Sequence, residues 1–209
     1  MMAVGTSQTS PPVSDPVVPA PVLEPYRLSV DQYHQMIAQG ILPENEPIEL
    51  LEGCLVKQMT KKPPHVVSTG LVQDALTPLL PAGWHLSVQD PVTTEESEPE
   101  PDIKIVRGHR RDYAAHHPRP EDVALVVEVA DTSLAADQGI KKRIYARAGM
   151  PYYWILNLLA RRLEVYSDPT GPNPAPDYRQ RRDFEADDMV AVIVSGHELG
   201  RVRVGDLLP

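Results

Sequence analysis

The residues of this chain best suited to chemistry are two carboxylates and a lysine. Asp102 begins the strand-like run "DIKIV", and Glu128 lies within "ALVVEVADTS", a near-continuous apolar run typical of a strand that is covered on both faces. Lys141 follows in the predicted helix "DQGIKKRIYARAG", where Asp137 and Tyr145 share its face because the three residues are spaced by four. A buried carboxylate is costly unless a positive group meets it, so the position of Glu128 predicts a nearby cation.

The chemistry that these residues would support depends on whether the two strands are adjacent. If they are neighbours in one sheet, the carboxylates of Asp102 and Glu128 converge at the same end of that sheet. Two carboxylates repel each other unless a cation or a proton separates them, and their hard oxygen atoms suit Mg²⁺ or Mn²⁺ with water as the remaining ligand. Lys141 would then neutralise charge on a phosphoryl oxygen, or help to orient and deprotonate an attacking water.

Simpler interpretations of the same residues remain open. Glu128 would also be satisfied by a buried ion pair with Lys141 or Arg143, with no metal ion. Lys104 and Lys142 compete with Lys141 for the catalytic position. Lys104 shares a strand face with the first carboxylate, whereas Lys142 is rotated by about 100° around the helix and is expected to face solvent.

Other polar residues have uses outside a catalytic site. His65 is more often a helix-start residue or a polar contact than a ligand, and Asp137 is placed to cap its helix or to pair with Lys141. Several arginines would form either a DNA-facing stripe or an ordinary solvated surface: the tract "RGHRRDY" with Arg143, Arg147, Arg161 and Arg162.

Composition and charge exclude several classes of protein. The net charge of −9 argues against nonspecific coating of nucleic acid, although a local basic face is compatible with it. The single cysteine, Cys54, has no partner for an internal disulfide, which suits a reducing compartment. No secretory signal pattern is present, and no apolar run reaches the length of about 20 residues that a membrane helix needs. The sequence therefore predicts a cytoplasmic protein without a membrane partner.

Two regions differ in composition. Residues 1–25 are rich in Pro, Ser, Thr and Val without helical or strand periodicity, and this is typical of a disordered or extended tail. Residues 26–209 are predicted to form one folded domain. The domain begins with a short helix, because Ser29 and Gln32 form a capping-box pattern and Gly40 supplies a stop.

The remaining pattern alternates strands and helices. "EPIELLEGCLVKQM" predicts a β-hairpin with a tight turn at Glu52 and Gly53. A helix is predicted from about Ala136 to Ala148, ended by Gly149. Another helix, "HVVSTGLVQDALTPLL", is predicted to bury the face formed by Val67, Leu71, Ala75 and Leu79. Further strands are predicted at "WHLSVQD", "DIKIVRG", "YYWILNL", "RLEVYSD", "MVAVIV" and "RVRVGDLL", and the whole pattern indicates a mixed α/β fold.

The ordered combination "PD…EVADTS…D…K…YARAGMPYYWILNL…LEVYSDP" resembles the Uma-two family of restriction-endonuclease-like proteins, a branch of the PD-(D/E)xK nuclease superfamily. The "IELLEG" hairpin, His65 at the start of the long helix and the terminal "VGDLLP" are also similar to that family. The resemblance covers residues 26–209. It implies an α/β restriction-endonuclease-like fold, with a mixed central β-sheet flanked by helices.

The resemblance also implies an activity and a set of site residues. It implies a metal-dependent endonuclease that hydrolyses DNA phosphodiester bonds. Asp102 and Glu128 would bind Mg²⁺ or Mn²⁺, together with the carbonyl oxygen of Val129. Cutting both strands of a duplex favours two-fold symmetry, so a homodimer is compatible with this activity.

The resemblance places the catalytic lysine of this chain on a helix rather than on the strand of the glutamate. The superfamily usually places this lysine two residues after the glutamate, where this chain has Ala130, and Lys141 on the next helix takes its place. Glu49 matches the acidic residue of the family's "ELIDG"-like segment and is added to the site. Where the family usually has Glu-Tyr-Trp after a proline, this chain has tyrosine at the first position, Tyr152.

Two other classes of function are compatible with the sequence. The same fold could hold nucleic acid or a protein partner without turnover, as the net charge and the acidic loop "EESEPEP" allow. A structural or regulatory module could use the proline-rich segment for docking. Lys141 distinguishes the first of these from a nuclease, because its loss should abolish cleavage and leave simple binding nearly unchanged.

Overall fold

A six-stranded sheet lies at the centre of the computed structural model, which describes residues 24–43 and 46–209. The predicted tail, residues 1–25, falls outside the described residues except for its last two. The strands are β1 Ile48–Leu51, β2 Cys54–Lys57, β3 Trp84–Val88, β4 Ile103–Arg107, β5 Val123–Ala130, β6 Tyr152–Asn157, β7 Arg162–Pro169, β8 Tyr178–Glu185, β9 Met189–Val194 and β10 His197–Arg203. The sheet order is β3-β4-β5-β6-β7-β8, with β5 and β6 parallel and the other neighbours antiparallel.

Helices cover both faces of this sheet. They are α1 Val30–Ala38, α2 Pro63–Leu76, α3 Leu134–Ala136 and α4 Lys142–Arg147, and a π-helical turn, Asp137–Lys141, joins α3 to α4. One face packs against α2 and the β9–β10 pair, and the other packs against α4. The predicted α/β architecture with a mixed, helix-flanked sheet is therefore present. No helix of the described ranges is long and apolar enough to cross a membrane.

The strand that carries Glu128 is buried along its whole length, as its apolar run predicts. Side chains alternate across a strand, so Leu125 and Val127 enter the core on the α2 side, whereas Val126 enters the core on the α4 side. Burying one such aliphatic side chain contributes about 1.5–3 kcal/mol. Glu128 has the same parity as Val126 and therefore points toward α4 and the π-helical turn before it, which carries the candidate lysine.

The first helix and the hairpin follow their local sequence signals. Ser29 and Gln32 form the predicted capping box at the start of α1. In the hairpin turn, Glu52 and Gly53 have φ angles of 47° and 77°, a left-handed pair that suits a two-residue hairpin turn. A β-carbon at Gly53 would also lie 2.6 Å from the β-carbon of Arg27, so this position requires glycine.

The predicted buried face of α2 is wrong, because the observed buried face is rotated by about one residue around the helix. Val67 is 50% exposed and Leu71 is only half-buried, although Ala75 and Leu79 do pack partly against the core. The buried residues are His65, Ser68, Thr69, Val72 and Leu76. Apolar residues occur on all sides of this helix, so their spacing alone does not select the buried face. Three of the buried residues are polar. The rotation directs His65 toward the candidate site.

Differences at other elements have similarly local causes. Strand β8 was not predicted, because "YRQRRDFE" is polar and only Tyr178 within it is buried, as suits an edge strand. The run "RVRVGDLL" is only partly a strand, since β10 ends at Arg203 and Val204–Leu207 forms a 3₁₀ turn. The helix predicted near Ala136–Ala148 is present, with Gly149 in the left-handed region just after it at φ 75°.

Candidate active site

Asp102 and Glu128 meet at one end of two adjacent antiparallel strands. Pairing of Ile103 with Val127 aligns β4 with β5 at this end. The Asp102 N–H donates to Oε2 of Glu128 at 3.4 Å, and the Val129 N–H donates to Oδ2 of Asp102 at 2.9 Å. The two carboxylates are only 6% and 3% exposed. The adjacency that the metal-site hypothesis requires is therefore present.

Lys141 lies against the same carboxylate from the helical layer. Its Nζ is 3.0 Å from Oε1 of Glu128 and 3.7 Å from Oε1 of Glu49. The Tyr145 hydroxyl donates to the same Glu128 oxygen at 2.8 Å, and Asp137 is buried one turn before the lysine. The predicted helix face is thus directed at Glu128. The π-helical turn carries both Asp137 and Lys141, and such turns are frequent at functional sites.

The two competing lysines are engaged elsewhere. The Lys104 ammonium is buried on β4 and donates to the carbonyl oxygen of Asp90. Lys142 pairs with Asp177 at 2.8 Å, and its Nζ lies 5.5 Å from the centre of the Tyr166 ring. Lys141 is therefore the lysine that contacts Glu128.

His65 reaches the other carboxylate from the first turn of α2. Its Nε2 lies 3.0 Å from Oδ2 of Asp102, and both side chains are buried. Burial raises the pKa of the Asp102 carboxyl, but the His65 contact and the Val129 N–H lower it by more, and the net pKa is below the usual value. His65 is thus a polar contact, as its sequence position favours, and the structure identifies its partner as Asp102.

Glu49 joins the cluster from the hairpin. Its Oε1 faces Lys141, and its Oε2 accepts the Glu100 N–H at 3.0 Å. Burial raises the pKa of Glu49 more than Lys141 and the Glu100 N–H lower it. The position of Glu49 depends on β1, whose Leu50 carbonyl oxygen accepts the Glu98 N–H at 2.7 Å.

Carboxyl groups outnumber cationic side chains in the cluster. Burial raises the pKa of Glu128, Lys141 opposes this shift, and the nearby Asp137, Asp102 and Glu49 carboxylates reinforce it, so the net pKa is raised. Burial lowers the pKa of Lys141, but the Glu128, Glu49 and Asp137 carboxylates raise it by more. The ammonium is therefore held protonated. The surplus of carboxylates makes the cluster attractive to a further cation.

The donor set fits a hard divalent ion. Within residues 24–43 and 46–209, no three His, Cys, Asp or Glu side chains are arranged to hold a metal by themselves. Mg²⁺ usually takes one or two carboxylates and retains several waters, so three protein side chains are not needed. Asp102 and Glu128 would supply two carboxylates, and the adjacent Val129 would supply a backbone carbonyl. These are the oxygen ligands that Mg²⁺ and Mn²⁺ prefer.

A cavity of about 350 Å³ opens onto the cluster. The nearly buried Asp102, Glu128 and Lys141 line its inner part, and the more exposed residues 57–62, 131–133, 135 and 136 line its mouth. The volume falls in the range of about 300–1,000 Å³ that small-molecule sites occupy.

Sequence reasoning missed the basic segment at this mouth. Lys57, Lys61 and Lys62 all line the cavity and are exposed. Residues 53–73 contain no aspartate or glutamate, although the whole chain has a net charge of −9. This local absence of acidic residues is the signal that would have identified the segment.

Three of the arginines considered for a DNA-facing stripe or a solvated surface form local ion pairs. Arg143 forms two hydrogen bonds with the Glu52 carboxylate, at 2.7 and 2.6 Å, and Arg147 lies 3.2 Å from the same carboxylate. Arg162 pairs with the buried Glu164 on another part of the sheet. These arginines serve local ion pairs because the neighbouring strands and loops present carboxylates to them.

The tyrosine that departs from the family pattern lies away from the carboxylates. Tyr152 begins β6 and packs partly against the core on the α2 side of the sheet. Tyr153 and Trp154 are fully buried, and the Tyr153 hydroxyl donates to the carbonyl oxygen of Asp137 at 3.1 Å. The departure at Tyr152 therefore leaves the charge of the cluster around Glu128 unchanged.

Comparisons with known proteins agree with this architecture. One solved structure, described as a "putative nuclease belonging to DUF820" from Anabaena variabilis ATCC 29413, superposes with a TM-score of 0.60 at 16% sequence identity, covering 86% of this chain and 97% of that chain. Its likeness supports the restriction-endonuclease-like fold. A search of curated proteins found no match. The sequence matches the Uma2 family, described as "Putative restriction endonuclease", over residues 30–199, and the chain therefore belongs to that family.

Proposed function

We propose that this chain is a metal-dependent endonuclease that hydrolyses DNA phosphodiester bonds. One observation carries the proposal. Asp102 and Glu128 meet on adjacent strands, and Lys141 lies 3.0 Å from Glu128 at the base of an open cavity. Membership of a restriction-endonuclease family supports the nuclease class, and the geometry supplies candidates for each role.

Asp102 and Glu128 would hold Mg²⁺ or Mn²⁺, with the Val129 carbonyl as a third protein ligand. When bound, the ion supplies Lewis-acid polarisation of the phosphodiester and activation of water. The protein holds these groups in place. The Val129 N–H and His65 both contact Oδ2 of Asp102, which orients that carboxylate.

Lys141 would act as a donor of charge-assisted hydrogen bonds. In hydrolysis, the water oxygen bonds to phosphorus while one bridging P–O bond breaks, and negative charge builds on the phosphoryl oxygens. A protonated ammonium stabilises this charge, whereas a general base would have to be neutral. The carboxylates around Lys141 keep it protonated. Electrostatic stabilisation is therefore the role we assign to it.

Glu49 would position Lys141. It lies 3.7 Å from the ammonium and is itself fixed by the Glu100 N–H. Tyr145 plays the matching part for Glu128, because its hydroxyl donates to the oxygen that also faces Lys141. Together these contacts leave the ammonium little freedom to turn away from the cavity.

A cleavage assay tests the proposal. The purified chain would be incubated with supercoiled and single-stranded DNA in Mg²⁺ or Mn²⁺, beside Glu128→Gln and Lys141→Ala. Loss of one such stabilising group typically lowers turnover by about 10²–10³-fold. Lys142→Ala is the matched control, because Lys142 pairs with Asp177 outside the cavity. Equal cleavage by all four proteins would reject the assignment of this site.

A second candidate is a binding module without turnover on the same fold. The observation that favours it is the Lys141–Glu128 pair, which compensates the buried carboxylate with no metal ion. A folded protein that binds DNA, shows no cleavage in either metal and shows no metal binding by calorimetry would support this candidate and reject the nuclease.

A further inference from the structure

We propose that the cavity accepts an unpaired nucleotide, so that the substrate is single-stranded or locally frayed DNA rather than intact duplex. This inference rests on the proposed function, because it concerns the substrate of the same site. Three features of the described residues carry it: the depth of the carboxylates, the apolar walls beside them and the lysines at the mouth.

The carboxylates lie in a cavity rather than on an open surface. Asp102 and Glu128 are almost fully buried, and only their outer surfaces face the cavity. B-form DNA is stiff over about 150 base pairs, and it carries its phosphates on a convex surface beside the neighbouring sugars and phosphates. A nucleotide that has left the stack can enter a cavity of this size more readily than a stacked one. In a single strand a nucleotide leaves the stack at little cost.

Apolar side chains form the walls next to the carboxylates. Leu51 and Val56 come from the hairpin, Met59 from the following loop, and Ala136 and Ile140 from the helical layer. Such a surface suits the flat face of a nucleobase better than it suits a phosphate or a sugar. Enzymes that act on extruded nucleotides commonly hold the base between apolar or aromatic side chains.

Three lysines at the mouth offer positive charge to a DNA strand. Lys57 and Lys62 lie 3.6 Å from Glu46 and Asp131, but their side chains remain 65% and 58% exposed. Lys61, between them in the sequence, is also exposed. Six consecutive residues, 57–62, line the cavity, so their lysines lie along one edge of it. Phosphates on either side of the inserted nucleotide would lie beside this edge.

The experiment compares matched substrates. A labelled 30-nucleotide strand would be used alone, in a blunt duplex, and in a duplex with one unpaired end. Cleavage would be measured in Mg²⁺ or Mn²⁺, and binding would be measured by fluorescence anisotropy in Ca²⁺. Because a paired nucleotide must first be extruded, we expect the single strand and the unpaired end to be preferred over the blunt duplex by about 10²-fold.

A cavity-filling variant locates the effect. Ala136→Trp places a large ring in the cavity from an exposed helical position, and it should lower single-strand binding by at least about tenfold. Ala38→Trp is the control, since Ala38 is an exposed alanine at the end of α1 and does not line the cavity. Both variants should unfold at the wild-type temperature. An unchanged strand preference in Ala136→Trp would overturn the inference.

The possible results separate this inference from the proposed function. Cleavage of all three substrates at similar rates would overturn the inference and leave the endonuclease intact. A binding preference for the single strand without cleavage of any substrate would support the inference and reject the nuclease. Neither binding nor cleavage would reject both.

Discussion

Replacing Lys141 with methionine should destabilise the protein strongly. The methionine side chain has a similar length and no charge, so the change removes the ammonium with little loss of volume. Lys141 is 12% exposed in its side chain, and its partners Glu128 and Glu49 are 3% and 5% exposed. The variant would leave both carboxylates buried without their cation.

The expected magnitude follows from this burial. Removing one partner of a buried ion pair costs about 3–5 kcal/mol, compared with about 0–1 kcal/mol for an exposed pair. Glu128 can take up a proton, which offsets part of this cost, so we expect a loss of about 3 kcal/mol. In a chain of this size, that loss corresponds to a melting temperature lower by about 6–12 °C.

Urea unfolding followed by tryptophan fluorescence would measure the loss. The control is the double variant Lys141→Met with Glu128→Gln, which removes both charges. It should be more stable than the sum of the single changes predicts, because the cost of the uncompensated carboxylate disappears. A loss below about 1 kcal/mol for Lys141→Met, or additive single changes, would show that the pair is not buried as described.

Three further predictions concern other charged groups. Changing Lys57, Lys61 and Lys62 to glutamine should reduce the slope of log binding constant against log salt concentration by about 2 for single-stranded DNA. Anisotropy titrations would measure this slope, and an unchanged slope would show that these lysines do not contact the DNA. Hydrogen bonds from neighbouring side chains lower the pKa of the Glu164 carboxyl despite its burial, so the ionised carboxylate stabilises the folded protein above pH about 4.3 and this stabilisation is lost as the pH falls below that value. The difference in unfolding free energy between wild type and Glu164→Gln, measured in urea, should therefore narrow from pH 7 to pH 3.5. A constant difference would contradict this. Mg²⁺ at 100 times its dissociation constant should stabilise the wild type by about 2.7 kcal/mol and should not stabilise Asp102→Asn. Thermal unfolding would measure both effects. An equal gain in the two proteins would mean that the ion binds elsewhere.

The site carboxylates and the lysine could be predicted because their signals are local. Glu128 interrupts an apolar run, and a buried strand makes such a carboxylate conspicuous. Lys141 and Tyr145 share a helix face through spacing alone, and both contact Glu128. The capping box and the left-handed turn of the hairpin are likewise decided by a few neighbouring residues.

Other features depend on packing between distant segments. The buried face of α2 was predicted incorrectly, because apolar residues surround that helix and only its contacts with the sheet choose among them. Strand β8 was missed because an edge strand is defined by its hydrogen bonds with β7 rather than by apolar alternation. The lysines of residues 57–62 are ordinary surface residues until the hairpin brings them to the cavity mouth.

The sequence by itself thus determined which groups are chemically unusual, and the tertiary structure decided which of them meet. Periodicity and burial operate over a few residues, so Asp102, Glu128 and Lys141 were identifiable one at a time. His65 and Asp102 are 37 residues apart in the sequence, and Glu49 and Lys141 are 92 residues apart, yet each pair is in contact. No short pattern encodes such distances, because they result from the strand register and from the docking of helices on the sheet.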